Sequence, residues 1–61
     1  MKLEELYNTY GKNVISECFL LEDIAPGHPF WWKAEGIAIS CKITFEKAEE
    51  ALKAYQHLTE N

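Results

Sequence analysis

Two histidines, two cysteines and a group of carboxylates are the residues of this 61-residue chain that could do chemistry. A thiol at Cys18 or Cys41 beside His28 or His57 would make a nucleophile and its base. Nothing in the spacing brings a histidine to either thiol. They read as a turn histidine, a helix-end histidine and two buried, reduced thiols, with a Cys18–Cys41 disulfide as the alternative. The cysteine spacing is neither that of a zinc site nor that of a dense disulfide framework. Glu22-Asp23 and Glu46, Glu49 and Glu50 could serve acid–base work or hold a cation. Glu46 and Glu50 share a helix face, but no His or Asp neighbour completes a ligand set, so these residues read as a solvated face. Pro26-Gly27 lacks the repeated glycines of a phosphate cradle. The sequence assigns no catalytic residue, no metal ligand and no cofactor.

The aromatic run is the stronger signal. Phe30-Trp31-Trp32 follows the turn Ala25-Pro26-Gly27-His28-Pro29. So short a chain with two adjacent tryptophans carries more large apolar surface than one core face can hide. On a strand, neighbours point to opposite faces. On a helix they lie about 100° apart, and one stays near the rim. The functional reading is an aromatic hot spot for a protein partner, built from His28, Phe30, Trp31, Trp32 and Lys33. The alternative, one Trp in the core and the other along helix stems, weighs about evenly against it. In an extended segment Phe30 shares a face with Trp32, and Trp31 with Lys33. That company makes Trp32 the core candidate and Trp31 the surface one. A membrane-facing patch would need neighbouring lysines, and only Lys33 is near.

Composition narrows the classes. Ten acidic residues face six lysines, for a net charge of −4, and there is no arginine. Arginine supplies the bidentate phosphate and guanine contacts that nucleic-acid binders favour, so the balance counts against such a function. It suits a protein that meets a basic partner. Hydrophobic residues make up 48% of the chain, which argues for a folded globule. One domain over residues 1–61 is expected, with little room for an enclosed pocket of about 300–1,000 Å³. Neither a signal-peptide core nor a membrane-length segment is present, and a cytoplasmic location is expected.

These residues need elements to hold them. Leu3, Leu6, Tyr7 and Tyr10 predict a helix over residues 2–10, stopped by Gly11. Residues 14–22 are open to both readings. Their β-branched and aromatic types favour a strand, while Val14, Cys18 and Leu21 could continue a helix. The strand is preferred because Gly11 and Asn13 break the register and a Pro/Gly turn follows. In residues 30–43, Ile37, Ile39, Cys41 and Ile43 alternate with Ala38, Ser40 and Lys42, the period of a half-buried strand. A helical reading also runs through Phe30, Trp31, Ala34, Ile37, Ala38 and Cys41, and Gly36 weighs against it. Thr44 caps a final helix over 45–59 with the stripe Ala48, Ala51, Leu52, Tyr55 and Leu58.

This order, with the Ala25-Pro26-Gly27-His28 loop and the run Thr44 to Leu52, resembles the double-stranded-RNA-binding domain family. The resemblance implies that Pro26, Gly27 and His28 enter a minor groove and that the last helix meets phosphates. Where the family carries lysines, this chain has Phe45, Glu46 and Glu49, and only Lys47 is basic.

The fold expected is α+β, an α–β–β–α order with two helices on one face of a small antiparallel sheet and room for a short third strand. The function expected is a non-enzymatic protein-interaction module, a small regulator, inhibitor or subunit, docking through its aromatic strand and turn. Its partner is another protein or a second copy of the chain, without membrane attachment. The alternative is a nucleic-acid-binding domain of the double-stranded-RNA type, using Pro26, Gly27, His28 and Lys47.

Overall fold

The computed structural model describes residues 2–59; Met1, Glu60 and Asn61, part of the expected domain, lie outside the described residues. The described residues form four helices in order: α1 (Leu3–Tyr10), α2 (Lys12–Ile24), α3 (Phe30–Cys41) and α4 (Phe45–Thr59). Among the described residues there is no strand. The expected α+β fold, its antiparallel sheet and its third strand are therefore overturned. The two segments expected as strands are α2 and α3, and the layout that supported the double-stranded-RNA-binding resemblance goes with them.

The reason lies in which side chains are buried. In α2 the buried residues are Val14, Ile15, Cys18 and Leu21, at helical spacing. In α3, Ile37 is fully buried while Ile39 is 72% exposed. A strand would have put both on one side; a helix turns them about 200° apart. The alternation of Ile37, Ile39, Cys41 and Ile43 is a coincidence of composition, overridden by packing. Gly36 does not stop the helix. A Cβ at that position would meet only Leu21 Cδ1, at 3.7 Å, which is ordinary contact.

The links between helices are short and chemically explicit. Gly11 alone joins α1 to α2. Its N–H donates to Tyr7 O at 2.9 Å and its carbonyl accepts from Ile15 N at 3.2 Å, so one residue closes one helix and opens the next. It does so at φ +98° and ψ 145°, a region open in practice to glycine alone. At the start of α3 the Pro29 carbonyl accepts from Trp32 N and Lys33 N. Proline loses nothing there, since the residue before a helix needs no N–H of its own. Lys42 ends α3 in the left-handed region, at φ 57° and ψ 46°. Thr44 caps α4: Lys47 N donates to its Oγ1 at 3.2 Å.

Packing sets the architecture. α2 and α4 touch one another and both remaining helices, while α1 and α3 do not meet. The central pair is thus flanked by α1 on one side and α3 on the other. The core draws Leu6 from α1, Val14, Ile15, Cys18 and Leu21 from α2, Ala34 and Ile37 from α3, and Ala48, Ala51, Leu52 and Tyr55 from α4. The alanines let short helices approach closely, which suits a molecule of 24 × 24 × 16 Å.

Candidate docking face around the α2–α3 turn

α2 and α3 run antiparallel, because Glu22 pairs with Lys33 near the turn and Asn13 meets Cys41 at the far end. That arrangement brings the aromatic run, the turn and the last residues of α2 together. His28 lies over Trp32 with ring centroids 4.0 Å apart and planes 20° from parallel. The stack fixes one indole on the surface. Trp31 is 57% exposed and Trp32 40% exposed. Both tryptophans sit outside, so the expectation that Trp32 fills the core fails with the strand that motivated it. On a helix the inward positions fall to Phe30, Lys33, Ala34 and Ile37 instead.

Sequence reasoning missed the other apolar members of this region. Leu20 and Ile24 are exposed one turn apart on α2, and Ile39 is exposed on α3. Phe19 is half-exposed and lies edge-on to Tyr55, with centroids 4.8 Å apart. Ser16, Phe19, Leu20 and Asp23 line a shallow depression of about 430 Å³. The i, i+4 spacing of Leu20 and Ile24 was readable, but only on a helix.

Lys33, expected at the partner surface, lies inside and is 5% exposed. Its Nζ donates to Glu22 Oε1 at 3.0 Å, and Gln56 Nε2 from α4 donates to the same oxygen at 3.2 Å. This cluster ties α2, α3 and α4 together. Burial pushes the Glu22 carboxyl up, but the hydrogen bonds from Lys33 and Gln56 and the lysine's charge outweigh it, and its pKa lies below the ordinary value. Lys33 therefore positions helices; it does not face a ligand.

The residues of the RNA reading are not gathered. Pro26, Gly27 and His28 lie beyond the last turn of α2. Lys47 lines a cavity of about 340 Å³ with Val14, at the first turn of α2. The length of α2, about 18 Å by helical rise, separates them. No family model matches this chain, and no similar curated protein or solved structure is found.

The thiols have poor nucleophile environments. Burial, then the charges of Cys41, Glu22 and Glu17, push Cys18 up to about 12. Burial and Glu17 also raise Cys41, whose Sγ points to Asn13 O at 3.8 Å. Both stay protonated at neutral pH, and the thiolate is the reactive form. No group of three or more His, Cys, Asp or Glu side chains that could hold a metal ion occurs among the described residues. Among them, too, no helix is long and apolar enough to cross a membrane.

Proposed function

We propose that this chain is a non-catalytic protein-interaction module that docks through the turn-end face carrying His28, Trp31, Trp32, Leu20 and Ile24. The observation that carries this reading is that both tryptophans stand partly exposed outside a core that Leu6, Ile15, Ile37 and Leu52 fill together with Ala34, Ala48 and Ala51. Two exposed indoles cost solubility unless a partner covers them, and contiguous apolar surface on a small soluble domain marks an interaction site. Trp32 is stacked before any partner arrives, so less conformational freedom is lost on binding. Indoles desolvated at the centre of an interface are typical hot spots.

A photoreactive phenylalanine placed at Trp31, and separately at the exposed Lys53 of α4, tests the reading in the native host extract. The expected result is a discrete adduct from position 31 and none from position 53. Equal labelling from both sites, or none from position 31, would contradict it.

A further inference from the structure

The partner of this face is open to a chemical assignment, which rests on the docking reading above. The exposed charges beside the turn are carboxylates. Asp23 is exposed on the last turn of α2, beside Leu20. Glu35 is exposed on α3, four residues from Trp31 and three from Trp32, so it sits next to both on the adjoining turn. The lysine nearest in sequence, Lys33, is spent inside on Glu22. Lys12 and Lys42 lie at the opposite end of the α2–α3 pair, where they line an open groove of about 650 Å³ with Tyr10, Asn13 and Cys41. The pair is therefore polarised, aromatic and acidic at the turn and lysine-bearing at the far end.

We infer that the face takes a cationic amphipathic segment of another protein, with Lys or Arg side chains flanking apolar anchors. Indole faces attract Lys and Arg cations, and Asp23 and Glu35 would meet the same side chains at the rim. Anionic partners are disfavoured by the same charges. A lipid surface rich in phosphate would meet carboxylates without an accessible lysine, and nucleic acid would meet the same repulsion. A second copy fits poorly too. A two-fold contact sets this patch against itself and brings like carboxylates together.

The test is selection of a random 16-residue peptide display library on the immobilised protein, followed by titration of fluorescein-labelled recovered peptides by anisotropy, a readout that does not depend on the protein's two tryptophans. The pool is expected to be net positive. Its binding should weaken at least tenfold in the Asp23→Lys, Glu35→Lys double variant and stay unchanged in Lys12→Glu. A neutral or acidic pool, or one indifferent to the double variant, overturns the cationic assignment and leaves the docking face standing. A pool that binds the Trp31→Ala, Trp32→Ala variant equally well, with circular dichroism confirming its fold, removes the docking reading itself. Binding to phosphatidylglycerol vesicles tighter than to any recovered peptide would overturn the assignment in favour of a membrane. A dimer in sedimentation that is lost with Trp31→Ala would overturn it in favour of a second copy.

Discussion

The inner and outer faces of α3 invert the usual distribution of side chains. Inward stand Ala34 and Ile37, and with them a lysine; outward stand two tryptophans and an isoleucine. A single helix thus buries a cation and exposes three large apolar groups. The inner face can afford Lys33 because Glu22 and Gln56 complete its surroundings, and no buried side-chain polar atom is left without a partner among the described residues. On the outer face His28 covers one side of Trp32, and both indoles still stand partly in solvent. The difference separates two tasks on one element, holding the helices together and presenting surface to another molecule.

That separation can be broken from the inside first. Ile37→Ala removes a fully buried side chain against α2 and α4, and is expected to cost about 2–5 kcal/mol. For a domain this small that is most of the available stability, and thermal unfolding by circular dichroism should show a largely unfolded chain at 37 °C. A loss under 1 kcal/mol would mean that α3 does not rely on its inner face.

The ion pair gives the next largest effect. Lys33→Met keeps the stem and removes the charge, leaving Glu22 with Gln56 alone, and should cost about 1–3 kcal/mol at pH 7. The folded Glu22 pKa is depressed, so its contribution is present above the ordinary carboxylate value of 4.5 and is lost as pH falls through the lower folded value. The gap between parent and variant in urea titrations should therefore be widest at neutral pH and narrow in acid. A gap that widens in acid would contradict the pairing.

Gly36→Ala sharpens the comparison by stabilising. The site is mid-helix, and its new methyl would find Leu21 Cδ1 at 3.7 Å, a contact without crowding. An interior alanine is worth about 0.5–1 kcal/mol over glycine in a helix, so the melting temperature should rise by several degrees. A fall would mean that α2 and α3 approach more closely than this geometry allows.

The terminal helices were legible in the sequence and the middle ones were not. Thr44 and the stripe Ala48, Ala51, Leu52 and Tyr55 agree with each other locally, and α4 follows from them. Leu3, Leu6, Tyr7 and Tyr10 with Gly11 do the same for α1. In α2 and α3 local preference and packing disagree. The isoleucines at 37, 39 and 43 and the glycine at 36 speak for a strand, yet only the helix lets Ala34 and Ile37 reach the core while Lys33 reaches Glu22. That lysine's role depended on a partner in another helix, which no local pattern announces. The surplus of aromatic surface was readable from composition. The exposed Leu20 and Ile24 near it, and Ile39 further along α3, were hidden by the strand assignment.

The smallest expected effect tests the central claim most directly. Trp31→Ala removes the more exposed indole and leaves Trp32 stacked against His28. Urea unfolding followed by circular dichroism should give a stability within about 1 kcal/mol of the parent, because a side chain more than half exposed adds little to the packed interior. A variant that is unfolded, or loses stability on the scale of Ile37→Ala, would show that Trp31 belongs to the core and that α3 has one task, not two.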